Sequence, residues 1–120
     1  MLYREVDEAP RLGFTDLNWQ RISSELRAQV LELSHQAKAA HLASSLSCVD
    51  ILAVLYESIL QFRKDEPRWP DRDRFVLSKG HAAAALYVVL ARKGILSATQ
   101  LPSYGEKDSF LEEHPSPHLA

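Results

Sequence analysis

A single cysteine is all that this sequence contains. Cys48 alone excludes an intrachain disulfide and a cysteine-based zinc site. Its apolar helical surroundings suit a small buried hydrophobe. No apolar run approaches the length of about 20 residues that a bilayer requires. The opening segment, MLYREVDEAPRLGF, lacks the apolar centre of a secretory signal. Charge of one sign is scarce: 14 basic against 16 acidic residues give a net charge of −2, with no basic footprint for nucleic acid. No P-loop, GxGxxG or GxSxG occurs, so the glycine patterns that cradle phosphates or expose a nucleophile are missing. No carboxylate pair stands out, and no repeat or low-complexity tract is present. The five histidines are spaced too widely for a zinc signature, so no metal site is expected from them. With 46% hydrophobic and 25% charged residues over 120 positions, what remains is a chain of ordinary globular composition. It is sized for one domain at most, and a reducing cytoplasm is the expected setting.

What is present is a run of helical patterns and one short apolar stretch. Pro10 and Gly13 make residues 1–14 an extended arm. Thr15 or Asp16 can cap a helix running to about Ala40. Its face is Ile22, Leu26, Val30, Leu33, Ala37 and Ala40, recurring at steps of four and three. Glu25, Arg27, Glu32 and Lys38 fall on its solvated sides. The small and hydroxyl residues of His41 to Leu46 predict a loop. Ser47 then caps a second helix, with Asp50 completing a variant capping box. Ile51, Leu52, Leu55, Ile59 and Leu60 form the apolar face of this helix, which ends at Leu60 or Gln61. Residues 62–73, with Pro67 and Pro70, predict a loop anchored by Trp69.

The stretch from Asp71 to Gly94 organises the rest. Phe75, Val76 and Leu77 read as the centre of a short strand over about 74–78, buried on both faces. Ser78, Lys79 and Gly80 break it. His81 follows, and the alanine-rich segment after it has high helix propensity. Gly94 is a natural stop for that helix, with Arg92 and Lys93 in the last turn. In open α/β sheets ligands bind beyond the carboxyl ends of strands, which is where this pattern puts His81. The pattern alone serves equally well for a histidine that merely ends a turn. Ser97 can cap a further short helix, against which Pro102 counts. The tail, with His114 and His118, predicts extended loop. The fold class expected is α/β, mostly helical, with this one strand.

His41, His81 and His114 each sit at a break or in a loop. Imidazole suits proton transfer near neutral pH and the binding of sugar hydroxyls or oxyanions. Spacing alone does not separate such a role from an incidental one. His35, inside the first helix, is expected at the surface or in packing.

Three blocks carry a more specific signal: KAAHLASSLSCVDILAVLY (Lys38 to Tyr56), WPDRDRFVLSKGHAAAALYVVLARKG (Trp69 to Gly94) and EHPSPH (Glu113 to His118). In this order they resemble the N-terminal part of transketolase, most closely the N-terminal subunit of split-gene transketolases. The resemblance runs from about Ala28 to the C-terminus. It implies that residues 15–120 are the N-terminal part of a thiamine diphosphate-binding domain. It further implies a cofactor-binding role for His81 beside the diphosphate. His41 and His114 take catalytic roles, the first in proton transfer and substrate hydroxyl contacts, the second on the donor's first hydroxyl. The chemistry implied is transfer of a two-carbon ketol unit between sugar phosphates, with thiamine diphosphate and Mg²⁺ as cofactors. The implied partners are a homo-oligomer and a C-terminal, pyrimidine-domain subunit, with no nucleic acid and no membrane.

The sequence departs from the family at Ala40, Ala43 and Ser44, which stand where glycines are usual. Lys79 replaces the asparagine of single-chain enzymes but suits the split forms. The GDG motif that holds Mg²⁺ finds no match within these 120 residues. The expectation is therefore that the chain alone neither assembles the metal site nor catalyses. The competing expectation is a non-catalytic assembly or dimerisation module derived from the same fold. A generic α/β nucleotide binder is disfavoured by the missing glycine pattern.

Overall fold

The computed structural model describes residues 17–97, 99–107, 109 and 111. The expected arm at 1–14, the Thr15 and Asp16 caps, and both His114 and His118 lie outside the described residues.

Helix α1 spans Trp19–Ala37. Asn18 starts it: its side-chain oxygen accepts the Arg21 backbone N–H at 3.0 Å, which satisfies one of the donors left over in a first turn. Ile22, Leu26, Val30 and Leu33 are buried, as their spacing requires. The helix stops at Ala37 rather than near Ala40, because Lys38 takes a left-handed conformation with φ 50°. Its N–H bonds back to the carbonyls of Ser34 and His35. Ala40 is exposed and belongs to the turn that follows.

The segment expected as a loop at 41–46 is a helix of one turn, α2, over Leu42–Leu46. A helix this short has no stability of its own. It forms because Leu42 and Leu46 pack against the core and Ser45 is buried at 1% exposure. Helix α3, Val49–Val54, begins at Cys48 rather than Ser47, and Cys48 is half-buried. Asp50 does not close a capping box. Its carboxylate takes a two-pronged ion pair from Arg27 of α1 at 2.8 and 2.9 Å and a hydrogen bond from the Ser23 hydroxyl at 2.7 Å. These contacts, Arg27 first, hold the Asp50 carboxyl down at about 2. A single π-helical turn, Leu55–Ile59, follows α3, and the chain leaves the helix at Leu60 as expected. The buried side of this stretch is Val49, Leu52, Ala53 and Tyr56. Ile51 and Ile59, expected on the apolar face, are 62% and 52% exposed.

Residues 62–73 form the expected loop, clipped at its base by reciprocal 2.7 Å bonds. The Gln61 N–H donates to the Asp73 carboxylate, and the Asp73 N–H donates to the Gln61 carbonyl. The Arg63 guanidinium lies over the half-buried Trp69 ring, 4.3 Å from its centroid. No strand forms at 74–78, nor anywhere else among the described residues. Phe75 packs edge-on against Tyr56 with centroids 5.7 Å apart, Leu77 also turns toward the core, and Val76 is 85% exposed. That in-out-in alternation belongs to an extended chain. A strand also needs a hydrogen-bonded neighbour, and no neighbouring segment among the described residues supplies one.

A 3₁₀ turn at Gly80–Ala82 leads into helix α4, Ala83–Arg92. Every residue from Ala82 to Leu90 is buried. A helix apolar on all sides must be surrounded. Helices α1, α2 and α3 and the 3₁₀ turn at Leu101–Ser103 supply that surround. Ala82 to Ala85 permit close approach at its start. Tyr87, fully buried, meets Tyr104 edge-on at 5.6 Å. Gly94 closes the helix as expected, at φ +73°, where a side chain would be strained. Ser97 opens the next turn, its hydroxyl accepting the Gln100 N–H at 3.2 Å.

Candidate functional site

Each of the two expected site residues that the structure describes is held by a short element at the edge of the core. His41 precedes α2 with φ 68°, a left-handed conformation uncommon for a residue with a side chain. Its carbonyl accepts the Ser45 N–H at 3.3 Å, so the strained residue is tied to the buried anchor of α2. The glycine-to-alanine departure at Ala40 therefore stands just before a backbone reversal that His41 itself makes. His81 lies in the 3₁₀ turn, where the Ala82 N–H closes on the Lys79 carbonyl at 2.9 Å. Phe75 and Leu77 seat the segment before this turn, and the buried body of α4 seats the segment after it.

Forty positions apart in sequence, the two imidazoles meet. Their ring centroids are 4.2 Å apart at an interplanar angle of 58°, and both residues are exposed. His114, the third histidine of the expected set, is outside the described residues. His35 is exposed on α1.

Two residues not expected in the site, Ser47 (read from sequence as a helix cap) and Lys79, complete the junction. The Lys79 ammonium donates to the Ser47 hydroxyl at 2.8 Å, and that hydroxyl donates to the Ser44 carbonyl at 2.9 Å. Position offers the one sequence signal for them. Lys79 is two residues before His81, and Ser47 is six residues after His41, at the other end of α2. Helix α4 starts with no side-chain cap. The Ala83 N–H at its start is instead taken by the Gly80 carbonyl of the turn that holds His81.

The donors available here are two imidazoles and the remaining protons of the Lys79 ammonium, since the one Ser47 proton goes to the Ser44 carbonyl. They suit an anionic or hydroxyl-rich ligand, and imidazole can also accept or deliver a proton. Among the described residues no group of three or more His, Cys, Asp or Glu side chains comes together to hold a metal ion. No described helix is long and apolar enough to cross a membrane.

Residues 19–119 match the family described as transketolase, thiamine diphosphate binding domain. Over 94 residues the chain is 42% identical to an apulose-4-phosphate transketolase subunit of Phocaeicola vulgatus, covering 78% of this chain and 34% of that protein. It is 38% identical over 98 residues to human transketolase, covering 82% of this chain and 16% of that one. It is 36% identical over 101 residues to transketolase-like protein 2 of Bos taurus, covering 84% and 16%. The chain thus spans about a third of the first of these relatives and about a sixth of the other two.

Proposed function

We propose that this chain, which belongs to the family of transketolase thiamine diphosphate-binding domains, forms one wall of an active site that moves a two-carbon ketol unit between sugar phosphates. Residues 15–120 are the N-terminal part of that domain. The observation that supports this most directly is the meeting of His41 and His81 at 4.2 Å, since these are two of the three histidines the family resemblance singles out.

The donor set fits the anionic end of thiamine diphosphate. His81 and Lys79 are the residues here that would hold the diphosphate. When bound, the cofactor supplies the stabilised carbanion that a two-carbon transfer needs. His41 orients the hydroxyls of the sugar and moves a proton at its ring nitrogen, a task suited to an imidazole near neutral pH. His114 contacts the first hydroxyl of the donor sugar. Mg²⁺ accompanies the diphosphate, and its ligands come from outside the described residues. The Phocaeicola vulgatus relative, named as one subunit of its enzyme, supports a division of the enzyme between chains. A pyrimidine-domain subunit is accordingly the proposed partner, within a cytoplasmic homo-oligomer. By itself the 120-residue chain does not catalyse.

Calorimetry with thiamine diphosphate and Mg²⁺ tests this. The chain alone shows no tight binding. The assembled enzyme binds, and His81→Ala weakens binding about tenfold, the scale of one hydrogen bond to a charged group. Tight magnesium-dependent binding by the 120 residues alone overturns the predicted incompetence. Unchanged affinity and turnover in the assembled His81→Ala enzyme overturn the role of His81.

A second reading, a non-catalytic assembly or dimerisation module, draws on Val76, Ile51 and Ile59, three exposed apolar side chains. It requires that the assembly form and bind no cofactor, which the same titration distinguishes.

A further inference from the structure

Helix α2 is five residues long, about 7.5 Å. The turn at 79–81 touches it at both ends. His81 meets His41 just before its first residue, and Lys79 meets Ser47 just after its last. Leu42, Ser45 and Leu46 seat α2 on the core, and the two end contacts add to that seating by tying each end to the turn at 79–81. A helix of one turn has little stability of its own, so the placing of its ends depends on such contacts. Ser47 suits the second point because its hydroxyl works in both directions. It accepts from the Lys79 ammonium at 2.8 Å and donates to the Ser44 carbonyl at 2.9 Å, inside the last turn of α2. Alanine can do neither, and threonine can do both.

We infer that Ser47 is a positioning residue: through Lys79 it sets the orientation of α2 against the turn at 79–81, and so holds the His41 and His81 rings together. The consequence for cofactor binding rests on the function proposed above. The positioning itself does not.

The test uses Ser47→Ala, Ser47→Thr and Lys79→Met. Nuclear Overhauser contacts between the two imidazole rings are measured in the 120-residue chain, and thiamine diphosphate affinity is measured in the assembled enzyme. Ser47→Ala and Lys79→Met lose at least half of the ring-to-ring signal, Ser47→Thr retains it, and thermal unfolding confirms that each variant is folded. Cofactor affinity falls about threefold in Ser47→Ala and recovers in Ser47→Thr, the scale expected of an exposed charge-assisted contact. An unchanged ring-to-ring signal in folded Ser47→Ala and Lys79→Met overturns the inference. Loss of the signal in Ser47→Thr as well overturns the role given to the hydroxyl. A lost signal with unchanged cofactor affinity upholds the positioning and instead rejects the placement of the histidine pair at the cofactor.

Discussion

The two ends of α4 differ in how their charges are placed. At its C-terminal end Arg92 reaches Glu57 at 2.6 Å and Glu25 of α1 at 3.0 Å, while Lys93 reaches Glu57 at 3.0 Å. Positive charge there also complements the helix dipole. Glu57 is only 12% exposed, and burial pushes its carboxyl up. The hydrogen bonds from Arg92 and Lys93 outweigh that, and leave it below its ordinary value. Glu25 is lowered too, first by Arg21 and then by Arg92. At the N-terminal end no side chain caps the helix, and the charged and titratable groups stand exposed around the turn at Gly80–Ala82. One end uses its charges to tie three elements together. The other ties Lys79 to Ser47 just past α2 and leaves the His41 and His81 residues exposed.

Both ends depend on the buried body between them, so the largest effect is expected there. Tyr87→Ala removes a fully buried ring that packs on Tyr104, and costs about 3–5 kcal/mol in urea unfolding. Glu57→Gln strikes only the paired end. It should cost about 1 kcal/mol, discounted for the partial exposure of Arg92 and Lys93, and should leave the ring-to-ring contact of His41 and His81 unchanged by NMR. His81→Ala makes the complementary change: the unfolding midpoint stays within about 0.5 kcal/mol because the residue is exposed, while cofactor affinity in the assembled enzyme falls.

Acid acts on the paired end and its neighbour. Glu57, Glu25 and Asp50 all have folded values below their ordinary ones. Such groups add stability above the unfolded value, and this is lost as pH falls through the folded value. Stability should therefore decline below about pH 4.5 in equilibrium unfolding, with Asp50 adding its share to the last limb between 3.8 and about 2. Asp50→Asn should flatten that last limb. Because Asp50 is well exposed, this is the smallest of the four effects.

Legibility from sequence followed how local each interaction is. The α1 stripe, the stop at Gly94 and the loop at 62–73 were readable because periodicity, a glycine and two prolines act within a few residues. The alanine-rich start of α4 was readable as helix, yet its complete burial was not, since burial depends on α1, α2 and α3 closing around it. The strand expected at 74–78 is not formed among the described residues, because a strand is completed by a neighbour and no neighbouring ladder is present there. The loop at 41–46 became α2 because the core accepts Leu42, Ser45 and Leu46. Asp50 looked like a capping group until Arg27, 23 residues earlier, was brought beside it.

Sequence by itself determined the longer helices and, through three motif blocks, which histidines to watch, because both kinds of information lie in short runs of residues. Only the tertiary structure decided that His41 and His81 touch, and that Ser47 and Lys79 clasp beside them. Those contacts join positions 40 and 32 residues apart, and packing around α4 brings them within reach.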